Sequence, residues 1–558
     1  MQEHPLAVAR ILTHGATTHA RSTVTTWHPD GPRVRTFAQL GQDAARLAHA
    51  LRRLGVSGDQ RVATFMLNHD AHVAAYLAVP SMGAVLHTLN PRLAAEEIAW
   101  IANDATDSVV LVDATLAEDF AAVAPMLTSV RHVLVHGALT AEAEAALSDA
   151  VAGSGSGGVV IHDLEALLAE TVVGEGLAGE DVTFDWPVID ERDAAAVCYT
   201  SGTTGRPRGV AYSHRSIWLQ SMQLMAAEAY GLSDRHKALV VVPQFHAMAW
   251  GFPYAAFMSG ASLLLPDRFA QPDQLLAMIE RERPTVGAAV PAVWIPLLEL
   301  ADRLGSEAAK PDLSSLREVG IGGSACPPSL IEAFADRHGI TVLHAWGMTE
   351  TSPMGSIARP PAYAAGGAEE WSYRVSQGRL PAAVEGRIVG DDGSILPSDG
   401  VAVGELQVRG PWVTASYLGG VAPEAFDGGW LRTGDVGSLT PDGFLTLTDR
   451  VKDVIKSGGE WISSVALENA LLAHPSVRDA AVIAVPDERW GERPAALVIP
   501  AEGAEVSFDT LREHLAGTFP RWQLPDHWTI VETLPRTATG KTDKKALRSS
   551  LRSRPTVQ

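Results

Sequence analysis

Cysteine is all but missing, with Cys198 and Cys326 the two in 558 residues. Two thiols in so long a chain neither staple a secreted fold nor complete a structural zinc site, which needs several soft ligands. Positive charge is short as well: 44 Lys and Arg face 65 Asp and Glu, a formal net charge of −21. Binding by counterion release needs a basic surface, so no nucleic-acid partner is expected. Long hydrophobic runs are lacking too. The most apolar stretch, Val286 to Leu300, is interrupted by Pro291 and Pro296 and is too short for a transmembrane segment. Met1-Gln2-Glu3-His4-Pro5 has no basic region followed by an apolar core, so no secretory signal is read and a cytoplasmic location is expected. What remains is ordinary globular material, 46% hydrophobic and 20% charged, on a chain long enough to need two or more cores.

One stretch organises the rest: Tyr199-Thr200-Ser201-Gly202-Thr203-Thr204-Gly205-Arg206-Pro207-Arg208-Gly209. It follows the apolar run Ala194 to Cys198, which reads as a buried strand. Glycines let a backbone bend close to a ligand, and hydroxyls and N–H groups then donate inward, as a polyanion such as a triphosphate requires. Gly, Ser and Thr are also ordinary loop formers, so this stretch alone leaves a surface loop open.

Up to about Asp190, helix-like and strand-like segments alternate. Phe37 to Leu54 and Ala71 to Met82 read as helices, Arg61 to Leu67 and Ser108 to Val112 as strands. The alternation predicts a largely parallel sheet covered by helices. Gly137 to Gly158, rich in Ala, Gly and Ser, reads as a surface insertion or loose loop. Further on, the strand-like Leu239 to Pro243 runs into Gln244-Phe245-His246-Ala247-Met248-Ala249-Trp250. That cluster suits a pocket wall, although a core histidine would satisfy the same pattern. Val293 to Leu300 reads as an apolar helix, pocket wall or core.

Val319-Gly320-Ile321-Gly322-Gly323-Ser324-Ala325 imitates a dinucleotide fingerprint. The next strand ends in His344-Ala345-Trp346 with no acid for a ribose, which excludes NAD(P). It runs into Gly347-Met348-Thr349-Glu350-Thr351, where a Glu beside a Thr can hold a divalent cation on phosphates. A helix N-cap with an acid in its first turn fits the same residues. From Gly378 short strands and turns predict a β-rich subdomain containing Trp430-Leu431-Arg432-Thr433-Gly434-Asp435. It closes at Asp449-Arg450-Val451-Lys452-Asp453, a charged junction suited to a linker, and an α+β module follows, ending in a Gly/Thr loop that presents Lys541.

In this order and spacing the motifs resemble the adenylate-forming superfamily, which includes acyl-CoA synthetases, firefly luciferase and the adenylation domains of peptide synthetases. Val242-Pro243-Gln244-Phe245-His246, Trp250 and Lys456-Ser457-Gly458-Gly459-Glu460-Trp461-Ile462-Ser463-Ser464 look most like medium- and long-chain fatty acyl-CoA synthetases. The resemblance implies an α/β fold: a large N-terminal domain (1–448) of mixed parallel sheets layered with helices and carrying a small β-barrel-like subdomain (about 378–448), then a small mobile α+β domain (449–558) that turns about Asp449.

The resemblance also implies roles. Thr200, Ser201, Gly202, Thr203, Thr204 and Gly205 would cradle the β- and γ-phosphates of ATP, and Glu350 with Thr200 would hold Mg²⁺. Thr349 would contact the α-phosphate, Trp346 would stack on adenine, and Gly323, Ser324, Ala325, Ala345 and Gly347 would complete the nucleotide site. Asp435 and Arg450 would take the ribose, with Lys452 beside them. Lys541 would stabilise charge at the carboxylate and α-phosphate. His246, Trp250, Val293, Gly322 and Gly323 would bind the acid, with His246 also catalytic and Trp250 as a gate. Gly458, Gly459 and Trp461 would serve coenzyme A after a rotation of the small domain. The implied reaction makes acyl-AMP and pyrophosphate, then an acyl-CoA thioester; a homodimer is implied by resemblance alone.

Two positions depart from the pattern. Arg208 stands where the loop usually carries Lys, exchanging a point charge for a planar, multidentate one. Gln244 stands where the fatty acyl enzymes often have Met. A kinase or P-loop ATPase is excluded because residue 535 is Pro where the Walker pattern before Gly540-Lys541-Thr542 needs Gly. An amide ligase, or a diazotase that activates nitrite, remains the rival reading.

Overall fold

A computed structural model describes residues 2–152, 158–174, 182–200, 206–306, 311–458, 460–536 and 542–552. Two large sheets with helices between and outside them dominate. The first has seven strands in the order Val160–Asp163, His132–His136, Val109–Asp113, Arg61–Phe65, Val85–Thr88, Ala194–Thr200 and Arg208–Ser213. Every neighbour is parallel except the last pair, an antiparallel hairpin in which Thr200 sits opposite Arg208.

The parallel part of the second sheet runs Thr341–Gly347, Glu318–Ile321, Val286–Ala289, Lys237–Val240, Ser262–Leu265 and Thr23–Thr26. Past Thr341–Gly347 the pairing turns antiparallel through Met354–Ile357, Gly378–Arg379 and Phe444–Arg450. The β-rich region expected from Gly378 onward is thus hydrogen-bonded edge to edge with the parallel strands.

Residue alternation explains the layering. In Arg61–Phe65, Val62 faces the space between the sheets while Ala63 and Phe65 face the outer helices. In the second sheet Val240 and Ala288 point inward, while Leu239 and Ala289 point to an outer layer around Trp294. Helix Asp70–Ser81 is buried along nearly its whole length because both sheets cover it. Its apolar residues therefore surround it, where a surface helix would keep one stripe. Helix Phe37–Arg53 begins with a reciprocal cap: Gln39 N donates to Thr36 Oγ1 at 3.2 Å and Thr36 N to Gln39 Oε1 at 2.9 Å. A cap of this kind stabilises by about 1 kcal/mol.

One expectation changes, and the apolar helix holds. Gly137 to Gly158, read as a loose loop, contains helix Ala141–Ala152, whose Leu147 joins the outer core; five small residues of that segment lie outside the described residues. Ala is a strong helix former, and its density there outweighs the glycines at the edges. Val293 to Leu300 belongs to helix Pro291–Ser306, where Trp294, Leu297 and Leu298 are core.

The C-terminal part has its own sheet: Glu460–Ile462, Ile455–Ser457, Gly491–Pro500 and Val477–Asp487 in order, with His527–Ile530 also beside Gly491–Pro500. Helices Ser464–Leu472 and Phe508–Ala516 pack on one face and Lys544–Arg552 on the other. Among the described residues no helix is long and apolar enough to cross a membrane.

Candidate active site

The strands of the second sheet end at a cavity of about 1150 Å³, lined on its other sides by Thr200, Arg206 and Arg208, the β-rich region and the start of the last helix. Open parallel sheets bind ligands at this edge, beyond the carboxyl ends of the strands.

One wall is a fixed acid. Asp435 and Arg450 are opposite residues on adjacent antiparallel strands, and Arg450 Nε lies 2.6 Å from Asp435 Oδ1. Trp346 Nε1 donates to Asp435 Oδ2 at 2.8 Å. The Trp346 ring is buried and packs against Gly355, where a side chain would collide with it. The acid, the indole and the guanidinium are therefore locked together before a ligand arrives. Each carboxylate oxygen can accept more than one bond, so Asp435 retains capacity for a hydroxyl pair. Asp435 itself lies behind the lining, which Trp346, Thr433, Gly434, Arg450 and Lys452 form.

The second element is the tight turn Thr349–Thr351. Its Glu350 is buried, and burial pushes the carboxyl up while a hydrogen bond from Tyr417 and the charge of Arg450 oppose this. The Tyr417 hydroxyl donates to Glu350 Oε1 at 2.7 Å, and the Tyr212 hydroxyl donates to the Thr349 carbonyl at 2.7 Å. Arg208 stacks its guanidinium 5.1 Å over the Tyr417 ring and lies 4.0 Å from Glu424. A planar cation suits that stack better than an ammonium. The side chain that departed from the usual loop pattern thus braces the tyrosine that holds Glu350.

Among the described residues no group of three His, Cys, Asp or Glu forms a metal cage. Glu350 and Thr200 nonetheless offer hard oxygen donors on one cavity wall. Mg²⁺ is commonly held by one or two protein oxygens plus phosphates and water, so the donor set fits.

The third element is strained. Ala247, Met248, Ala249 and Trp250 have φ of 43°, 53°, 49° and 54°, and Gly251 follows at 80°. Left-handed backbone costs roughly 1–2 kcal/mol per non-glycine residue, so the surroundings must hold it. Gln220 does so by donating to the Trp250 carbonyl at 3.1 Å. The Gln220 amide fills the space a side chain at Gly251 would need. The turn sets both His246 and Trp250 on the cavity, with Trp250 lying over Gly322 and Gly323.

The predicted residues divide into three groups. Thr200, His246, Trp250, Val293, Gly322, Gly323, Ala345, Trp346, Gly347, Thr349, Glu350, Arg450 and Lys452 line the one cavity. Ser324 and Ala325 are exposed outside it, Gly458 is exposed beside the Trp490 ring, and Trp461 sits under Lys456 in the C-terminal sheet. Asp449 is also off the wall: its carboxylate accepts from Ser464 N at 2.7 Å and so caps the first C-terminal helix. Ser201, Gly202, Thr203, Thr204, Gly205, Gly459 and Lys541 lie outside the described residues; Thr542, beside Lys541, lines the cavity.

Residues that motif reading missed include Tyr417, Gln220, Tyr230 and Arg92, whose guanidinium lies 5.3 Å over Phe245. Arg92 carried a signal, a basic residue just after the strand Val85–Thr88. Tyr417 and Tyr230 sit in irregular segments with no periodicity to mark them.

Residues 12–418 match the AMP-binding enzyme family and residues 466–541 the AMP-binding enzyme C-terminal domain. The chain is 40% identical over 555 residues to 3-methylmercaptopropionyl-CoA ligase of Ruegeria lacuscaerulensis, covering 99% of this chain and 98% of the relative. It is 39% identical to a medium-chain-fatty-acid–CoA ligase of Ectopseudomonas oleovorans, covering 98% and 96%. The crystal structure of an anthranilate CoA ligase with anthranoyl-AMP superposes with a TM-score of 0.84 at 24% identity, covering 98% of each chain, which shows the shared fold. The chain belongs to the AMP-binding enzyme family, the adenylate-forming enzymes that its motifs resemble.

Proposed function

We propose that this enzyme is an acid–CoA ligase that activates a medium- or long-chain fatty acid, or a similarly apolar carboxylic acid, through acyl-AMP. The observation that carries the reading is the mixed lining of one cavity. Glu350 and Arg450 line it, with Asp435 held behind Arg450, and so do the apolar Leu224, Val242, Val290 and Met354. His246 and Thr349 lie on the same cavity. A nucleotide phosphate and a carboxylate can therefore face each other inside one enclosure, which is what in-line attack on an α-phosphorus needs.

In this reading the locked Asp435 accepts the ribose hydroxyls, and residues Thr200 to Gly205 grip the leaving pyrophosphate. Glu350 and Thr200 would hold Mg²⁺, which as a Lewis acid draws charge from phosphate oxygens. Lys541 neutralises charge developing between carboxylate and α-phosphate. The C-terminal domain, 449–558, then turns about Asp449, withdraws Lys541 and brings Gly458, Gly459 and Trp461 to the cavity. The coenzyme A thiol displaces AMP to give the thioester. No protein nucleophile is needed, consistent with Cys198 and Cys326, whose thiols burial pushes well up, to about 12 for Cys198.

The test is pyrophosphate release across a panel of carboxylic acids, and nitrite with an arylamine, each with and without coenzyme A. Acid-dependent pyrophosphate with thioester only in the presence of coenzyme A is expected. Amide from an amine without coenzyme A, or nitrite-dependent turnover, would overturn the assigned acceptor or acid.

A further inference from the structure

Beside the cavity runs the strand Glu318–Ile321, and the Gly322 and Gly323 that follow it line the wall. The strand's residues alternate between faces: Val319 and Ile321 enter the outer core, so Glu318, Gly320 and Gly322 share the inner face. Two of those three have no side chain, leaving a groove along the strand. Across the sheet, Gly320 is in register with Ala288 and Leu343, one step deeper than the Val290, Gly322 and Ala345 that line the cavity. The deeper row does not line it.

Tyr230 occupies the gap. A side chain at Gly320 would overlap the Tyr230 hydroxyl, so the phenol lies directly in the notch that this glycine opens. Its ring stands edge-on to Phe252 at 5.1 Å, and Tyr230 is both a cavity-lining residue and 5% exposed. The turn that carries it is pinned from behind. Arg359 donates to the Ala229 carbonyl at 2.6 Å and to Glu318 at 3.0 Å, tying the turn to the first residue of the same strand.

We propose that Tyr230, seated over Gly320, is the specificity-determining floor of the acid pocket and restricts the substrate to medium-chain acids. This rests on the acid-activating reading above and narrows it. From the Ala345 row to Gly347, the last residue of its strand, is two residues, about 7 Å, and Thr349 lies beyond it in the turn Thr349–Thr351. At ~1.2 Å per bond of extended chain, the strand length alone takes about five or six chain atoms and the turn adds to it, which places the limit among medium-chain acids. Removing the phenol opens the next row, about 7 Å further along the strand. That adds roughly five or six chain atoms.

The experiment measures acid-dependent pyrophosphate release with straight-chain acids from butyrate to palmitate, for the unaltered enzyme, Tyr230→Ala and Tyr230→Phe. The unaltered enzyme and Tyr230→Phe are expected to lose at least tenfold in kcat/KM between octanoate and palmitate. Tyr230→Ala should gain at least tenfold on palmitate and stay within about threefold on hexanoate. Efficient palmitate turnover by the unaltered enzyme, or identical chain-length profiles for it and Tyr230→Ala, would overturn the inference and leave the acid-activating reading standing. If Tyr230→Ala does not fold, the profile of the unaltered enzyme still decides. No pyrophosphate with any acid would overturn both.

Discussion

The Tyr417 hydroxyl donates to Glu350 Oε1 at 2.7 Å, and the Arg208 guanidinium lies 5.1 Å over the same phenol ring. The glutamate that would hold the cation is therefore aimed by a tyrosine, which is itself braced by Arg208. A hydrogen bond to a charged group contributes about 1.5–3 kcal/mol. Tyr417→Phe is expected to cost roughly 10- to 100-fold in kcat/KM for pyrophosphate release. The loss should be accompanied by weaker Mg²⁺-dependent binding of nucleotide, read by calorimetry with and without the metal. Arg208→Lys should lose only the stack, about 0.5–1 kcal/mol. Unchanged nucleotide binding in Tyr417→Phe would remove the tyrosine from this role.

Lys541 is expected to act in one half-reaction. Lys541→Ala should abolish acyl-AMP formation yet convert supplied acyl-AMP and coenzyme A to thioester at near the unaltered rate. Stopped assays of each half-reaction make the comparison. Equal loss in both would contradict the rotation about Asp449.

The left-handed turn before Gly251 gives a structural prediction. Gly251 has φ 80° and the Gln220 amide fills its side-chain space. Gly251→Ala should destabilise by about 1–3 kcal/mol through overpacking. It should also raise KM for the acid more than for ATP, because His246 and Trp250 shift with the turn. Urea midpoints and the two KM values check this. Ala249→Gly, which relieves one strained residue, should leave both KM values nearly unchanged.

Buried histidines set a pH dependence. His214 is fully buried, and its Nδ1 accepts from Val8 N at 3.2 Å, which only the neutral ring can do. Burial pushes its pKa down from 6.5 to about 4. Between those values the unfolded chain binds the proton and the folded chain does not, so His214 lowers stability as pH falls from about 6.5 to about 4. The loss approaches ~1.4 kcal/mol per pH unit. His214→Asn should remove that slope, so the stability difference between variant and unaltered enzyme should change across this window. A difference constant from pH 7 to pH 5 would contradict it.

The parts of this molecule that were legible in the sequence are those set by local periodicity. The βα alternation up to Asp190 and the strands at Leu406 and Phe444 follow from apolar spacing and appear where expected. Cavity residues with a motif, such as Thr200, Thr349 and Glu350, were found because their chemistry demands neighbours close in sequence. Tyr417 and Tyr230 were not, because each acts on a residue 67 positions away in one case and on Gly320 in the other, a distance that only the sheet closes. The alanine-rich segment after Gly137 failed for a simpler reason: its glycines were weighed above the helix propensity of alanine. Arg208 looked arbitrary beside phosphates and became intelligible only with Tyr417 beneath it.

The central claim is attack of a carboxylate on the α-phosphorus within this cavity. It is tested most directly with hexanoate carrying oxygen-18 in both carboxylate positions, ATP and coenzyme A, followed by mass spectrometry of the products. One labelled oxygen is expected in AMP, one in the thioester carbonyl and none in pyrophosphate. Unlabelled AMP, or ADP and phosphate as products, would contradict it.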